Sequence, residues 1–284
     1  MRDDKNSAGR VLVARSGGFA RTVGVSFFVG GLLLGGLALW GTIVPGQTYF
    51  TESTDVGWPD GDVASLHSID AIVDFVRNTS PADDHDVVRT IYDTVRRRFD
   101  RCTPFLTPQQ NWILWGVSLI WPLRGAPTAP LLPKYSRCGL CDQVNGVFVL
   151  VATVFNIPAR LVSMPGHTTA EAYWNGAWRV VDPHFDYFPD PLAPAVVAET
   201  LGQNPHWVQM AYAHLEQRTV VATVNSYVRF VSGDGVRRET GQLNSPRLAV
   251  IQRWAEIGKF VIPILFLTTG IAILRLRIGK KTAD

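Results

Sequence analysis

The stretch from Val23 to Val44, VGVSFFVGGLLLGGLALWGTIV, carries no charged residue. It supplies about the 20 apolar residues that a helix needs to cross a bilayer core, and this constrains the rest of the chain. A core helix of a soluble protein can be equally apolar, but a helix apolar all round and close to the N-terminus fits an anchor better. A cleaved signal peptide has a shorter apolar part, roughly 7–15 residues, and ends at a small-residue cleavage site. Here the run continues into Pro45-Gly46-Gln47. A retained transmembrane helix is therefore expected over residues 23–45. A second apolar run, Ile257 to Leu274, contains Lys259, which can snorkel to the headgroups, and Pro263, tolerated in membrane helices. Ser245-Pro246 reads as a cap followed by proline at the first helical position, so one helix over 246–278 is expected to include the second span.

The charges flanking these runs set an expected topology. Arg2, Lys5, Arg10, Arg15 and Arg21 precede the first run, whereas Gly46 to Val76 holds six Asp/Glu and no Lys or Arg. The positive-inside rule then places a basic tail (1–22) in the cytoplasm. A linker (46–67) and a domain (68–245) lie outside, and a second basic tail (279–284) returns inside. Arg247, Arg253 and Lys259 on the outer flank of the second run pull against that last assignment. The expected location is a two-pass protein of the cell membrane, its main domain periplasmic or extracellular.

With 284 residues the chain has room for one medium domain plus accessory segments, or for two small domains. Its net charge of +3 sits largely in the tails and forms no basic stripe, so nucleic acid is not an expected partner. The expected partners are the bilayer and an extracytoplasmic protein or peptide, a neighbouring membrane protein among the options. Three cysteines are too few for a disulfide framework, which points to reactive rather than structural thiols. Several of the nine tryptophans flank apolar runs, as suits a membrane interface.

Within the central domain, apolar residues recur at helical spacing in Ser68–Arg77 and Asp84–Phe99. Trp112 to Leu123, WILWGVSLIWPL, is too short to span a bilayer and reads either as core or as a patch resting on the membrane. Asp142 to Phe155 has the composition of a buried helix ended by Ile157-Pro158. Strands are then expected at Ala159–Met164, Ala170–Trp174 and Trp178–Val181, with Asn175-Gly176 as the hairpin turn. Helices followed by a meander predict an α+β domain. Pro191 to Arg238 has mixed patterning that assigns no elements.

A thiol becomes a catalytic nucleophile when its proton has a base to go to and a third group orients that base. Cys141 stands where a loop enters the expected helix, and the helix N-terminus favours a thiolate there. His167 opens one strand and Asp182 ends another. Antiparallel pairing through Asn175-Gly176 brings those ends together, so Asp182 can hold one imidazole nitrogen while the other faces Cys141.

The segment SRCGLCDQVNGVFVLVATVFNIPARLV resembles the nucleophile region of the transglutaminase-like superfamily, in which Gly-x-Cys leads a buried helix ending in Gly-Ile-Pro-Ala-Arg. GHTTAEAYWNGAWRVVDP resembles the same family's His-x-x-x-Glu-x-Tyr strand, turn and Trp-x-x-x-Asp-Pro strand. The resemblance covers about 50 residues strongly. It implies a papain-like α+β core in which Cys141 is the nucleophile, His167 the base and Asp182 the orienting group, with Glu171, Trp178 and Pro183 at framework positions. Asn156 stands where the family has glycine, and threonines follow His167 where an aromatic is common. The implied activity is that of a thiol enzyme working through a thioester, a protease or amidase when water is the acceptor and a crosslinking transglutaminase when an amine is. Hydrolysis is the favoured expectation, with no metal or organic cofactor. The oxyanion needs donors; the Cys141 backbone N–H is one, and the family suggests Gln109, Gln110 or Trp112 for the other.

Three alternatives remain at this level. The fold can persist as an inactive assembly module, with Trp112–Leu123 as its surface. Cys138-x-x-Cys141 has the spacing of a redox dithiol, although no thioredoxin-like context surrounds it. Outside the cell, Cys138 pairs with Cys102 or reversibly locks Cys141. The sequence assigns no role to His184, His206 or His214.

Overall fold

The computed structural model describes residues 5–43, 61–79, 81–189 and 195–281. Most of the expected linker and both chain ends lie outside them. The chain divides into two compact units, one built from 1–46, 107–116 and 253–284, the other from 47–106 and 117–252.

The first unit holds two helices long and apolar enough to cross a membrane. Helix α1 spans Lys5–Ile43, with its apolar stretch at Phe19–Ile43. Helix α11 spans Pro246–Lys281, apolar to Leu276, and belongs to this unit from Arg253. Glycines bring the two backbones together. A Cβ on Gly31 would lie 2.8 Å from the Pro263 carbonyl oxygen, and one on Gly270 would lie 2.8 Å from the Gly24 carbonyl oxygen. Without a hydrophobic driving force between helices in lipid, such close approach is how packing energy is gained. Apolar side chains on the outside, Leu33 and Ile43 among them, are exposed, which is not how a core helix looks. Helix α4, Pro108–Ser118, contributes its first part to this unit and is kinked at Asn111. The Asn111 Oδ1 caps the new turn by accepting from the Ile113 and Leu114 N–H groups.

The second unit mixes helices with an antiparallel sheet. Helix α2 (Ile69–Asn78) starts at Ser68, whose hydroxyl accepts from the Ala71 N–H, and α3 (Asp84–Arg98) starts likewise at Asp83. Val63 and Leu66, within the stretch read as linker, are buried against these helices. A two-residue strand β1 (Asp100–Arg101) runs parallel to β2 (Cys138–Gly139), and the short helices α5 (Pro122–Gly125) and α6 (Leu132–Tyr135) lie between them in sequence. Helix α7 (Cys141–Val154) follows directly. It ends at Asn156, which has φ of 59°. The Ile157 N–H reaches the Ala152 carbonyl and the Asn156 N–H reaches that of Thr153, closing a Schellman motif. Asparagine is the commonest residue after glycine to take this left-handed position, which explains its tolerance here.

Strands β3 (Ala159–Met164), β4 (His167–Trp174) and β5 (Ala177–Val181) then form the meander. With β6 (Val236–Arg237) the sheet order is β5-β4-β3-β6. Asn175 and Gly176 both take positive φ, the signature of a type I′ turn. The region without assigned elements forms α8 (Ala198–Gln203), α9 (Pro205–Ala211) and α10 (Gln217–Arg229). These helices pack Leu201, Val208, Tyr212 and Tyr227 against Val162, Met164 and Val180. The opposite side of the sheet, with Leu161, Ala170 and Val181, belongs to the main core built around α7, α2 and α3.

Candidate active site

Cys141 is the first residue of α7 and the one free cysteine among the described residues. The loop before it is held on several sides. Arg98 is buried, and its guanidinium donates to the carbonyls of Leu66, Pro133 and Ser136 at 2.9–3.2 Å. Cys102 and Cys138 are joined in a disulfide with Cα atoms 5.4 Å apart, so the β1–β2 pair is covalently tied three residues before the thiol. A Cβ on Gly139 would come within 2.9 Å of Leu132 and 3.2 Å of the Gln143 Oε1. That crowding is why glycine precedes Leu140. The Gln143 Oε1 also accepts from the Leu140 N–H at 2.7 Å and its Nε2 donates to the Pro127 carbonyl at 2.6 Å. The position of Cys141 is thus fixed by side chains reaching back along the helix entry.

His167 and Asp182 are buried, and their His Nε2 and Asp Oδ2 atoms are 2.7 Å apart. Asp182 is also the terminus of a 3-10 turn, Pro183–Phe185, whose Phe185 N–H donates to its Oδ1 at 3.2 Å. Asn145 donates to the same oxygen at 3.1 Å and to the Thr168 carbonyl at 2.7 Å. The Tyr212 hydroxyl donates to Oδ2 at 3.1 Å. Backbone bonds between Asp182 and Tyr187 in both directions lock the position. A carboxylate with this many donors is held ionised without bulk water.

Burial works against a charged imidazole, but the Asp182 charge and hydrogen bond outweigh it, and His167 is pushed up to about 10. Burial alone would raise the Asp182 pKa; the His167 cation and the hydrogen bonds hold it below the usual carboxylate range. The Cys141 thiol is close enough to add to the stabilisation of the imidazolium. The His167 Nδ1 itself is buried and closes no hydrogen bond. The thiol contact is therefore looser than a formed N–H···S bond. The Phe185 ring stacks on His167 at 4.4 Å and 8°, fixing the ring plane.

His184 sits beside this pair, its ring 6.4 Å from that of His167. Burial, reinforced by the charges of His167 and Arg101, brings its pKa down to about 3, so it is neutral. Tyr212 and Tyr227 are raised by burial and remain hydroxyl donors. Asn145, Phe185, His184 and Tyr212 were not identified from the sequence. Asn145 had a usable signal, because it lies one helical turn after Cys141 and shares its face; Tyr212 had none.

Glu171 is buried on the same face of β4 as His167. Its oxygens accept from Arg160 and Arg237 at 2.8–3.1 Å and from the Ala198 N–H at 2.8 Å, tying β3, β4, β6 and α8. Trp178 lies under the Arg160 guanidinium at 3.9 Å, and Pro183 is buried.

Gln110 and Trp112, expected as oxyanion donors, belong to the first unit rather than to the unit holding Cys141. There the Gln110 Oε1 accepts from the Thr107 N–H, its carbonyl accepts from Lys259, and the Trp112 indole N–H donates to the Lys259 carbonyl. Their polar groups serve the packing of α4 on α11. Gln109 lies in the same unit, its carbonyl close against Gly41. The resemblance that suggested these residues does not encode which unit they fold into. No protein-family model, curated protein or solved structure matches the chain.

Proposed function

We propose that this protein is a membrane-anchored thiol hydrolase of the transglutaminase-like kind, with a papain-like core, acting on protein or peptide amides outside the cytoplasm. The observation that carries this reading is the buried His167–Asp182 pair, 2.7 Å apart and raised in proton affinity, beside a thiol at the N-terminus of α7.

The chemistry follows from proton positions. Held by the ionised Asp182, the His167 imidazole takes the proton given up by the thiol of Cys141. The thiolate sulfur attacks the amide carbonyl carbon, and the Cys141 backbone N–H faces the developing oxyanion. The tetrahedral intermediate collapses as the imidazolium gives its proton to the amine, which leaves. Neutral His167 then takes a proton from water, hydroxide cleaves the thioester, and the carboxylic acid and thiolate are released. Asp182 holds the ring in one tautomer throughout. In this reading the apolar helices anchor the domain, and the basic N-terminal tail supports a cytoplasmic N-terminus, with the basic C-terminal end consistent with the same side.

The test uses the full chain in detergent with β-casein and monodansylcadaverine. New casein N-termini that disappear in Cys141→Ala support hydrolysis. Dye incorporation with the same dependence makes the enzyme a crosslinker. Neither product in the wild-type protein would contradict a catalytic role and favour an assembly module.

A further inference from the structure

A cavity of about 940 Å³ opens beside the nucleophile, within the second unit. Leu140, Asp142 and Gln143, the residues around Cys141 at the entry of α7, form one wall. The first turns of α11, with Leu248 and Ile251, line it as well. These walls are pinned. Gln252 is fully buried, accepting from the Thr128 N–H and donating to the Ala126 carbonyl, each at 2.7 Å. The back of the wall is tight, since a Cβ on Gly146 would lie 2.7 Å from that of Ala129. Asn244, also in the lining, donates to the Thr168 hydroxyl at 3.3 Å, next to His167 in the strand. Cys141 and His167 are not themselves in the lining; the cavity approaches the first through its chain neighbours Leu140 and Asp142, and the second through the Asn244 bond to Thr168.

Its charge is uneven. Arg124 and Arg247 both line it and are exposed, and neither makes an ion pair among the described residues. Arg124 rests 5.8 Å from the Trp121 ring. The one acid in the lining is Asp142, whose proton affinity burial raises, so it opposes a negative ligand less than an exposed carboxylate would. Two guanidiniums over an apolar trough select a ligand with a carboxylate next to apolar groups.

Resting on the reading of Cys141 as the nucleophile, we propose that this cavity is the acyl-donor subsite and takes a peptide segment with an acidic side chain beside apolar residues, the carboxylate meeting Arg124 and Arg247.

The experiment alkylates the full chain, in neutral detergent micelles, with iodoacetyl-capped tripeptides that differ only in carrying Glu or Lys between two leucines. Cys141 adducts are timed by mass spectrometry and normalised to plain iodoacetamide. The Glu probe should react roughly fivefold faster than the Lys probe, about what two exposed ion pairs supply. The order should invert in Arg124→Glu/Arg247→Glu. Equal rates, or a preference for Lys in the wild-type protein, would overturn the proposal. A Glu preference that vanishes on adding phosphatidylglycerol to the micelles would also overturn it, assigning the arginines to lipid headgroups. Plain iodoacetamide on His167→Ala separates the two readings. If that variant reacts like wild type, the acyl-donor role falls with the enzyme assignment, whereas the Glu-to-Lys ratio reads the cavity alone.

Discussion

The two faces of the sheet solve the problem of burial in opposite ways. Toward α7, Ala159, Leu161, Ala170, Ala172 and Val181 meet Val144, Val147, Phe148 and Val151, an aliphatic core with few polar groups to satisfy. The other face carries Glu171, and the buried pair His167 and Asp182, with Tyr212 and Tyr227, sits where that face meets the start of α7, within reach of Asn145 and Cys141. There each charge needs partners, and the structure supplies them: Asn145, Tyr212 and the nearby Phe185 N–H for Asp182, and the cross-strand Arg160, Arg237 and the α8 N-terminus for Glu171. The apolar face gives rigidity; the polar face uses that rigidity to hold charges away from water. An exposed carboxylate could not hold His167 so far above its ordinary proton affinity.

The contrast can be broken at either face. Phe148→Ala should cost about 4 kcal/mol, the transfer and cavity cost of a fully buried aromatic. Urea unfolding measures it, and iodoacetamide labelling of the folded fraction should be unchanged. Glu171→Gln should cost about 3 kcal/mol, at the low end for a broken buried ion pair because Arg160 and Arg237 keep some contact with water. It should also loosen β6, read as faster amide exchange at Val236 and Arg237.

The pH dependence sharpens the comparison. His167 is raised from 6.5 to about 10 in the folded protein. The stability that this group contributes is therefore complete below pH 6.5 and lost as pH rises through about 10. Thermal midpoints of the wild-type protein should fall across that window, and His167→Gln should flatten the fall. Phe148→Ala should lower the midpoints at every pH without changing the slope. The smallest effect is at the helix end. Asn156→Ala should cost about 1 kcal/mol for a left-handed residue, and Asn156→Gly should be neutral or better.

Much of the apolar face was legible in the sequence, and less of the polar one. The period of α7, the alternation of β3 to β5 and the Asn175-Gly176 turn are local signals, and each element lies within a few residues of its expected bounds. His167 and Asp182 stood out because the Asn175-Gly176 turn pairs their strands, and Cys141 because of its place at a helix entry and the family resemblance. Helices α8 to α10 did not, since the first two are six and seven residues long and offer too little periodicity to read. Tyr212 for Asp182, and Arg237 and α8 for Glu171, come from far along the chain, and no local pattern announces them. Trp112–Leu123 was read as one segment, yet it is split between the two units, with the Asn111 kink just before it.

The central claim is that Cys141, His167 and Asp182 share one proton system. It is tested most directly by the rate of iodoacetamide labelling of Cys141 in the full-length protein at about pH 6, where a free thiol is almost wholly protonated. Wild type should label roughly tenfold or more faster than His167→Ala, with Asp182→Asn between them, because only the intact pair keeps the imidazolium that stabilises a thiolate. Equal rates in all three proteins would contradict the account and leave Cys141 an ordinary thiol at the head of a helix.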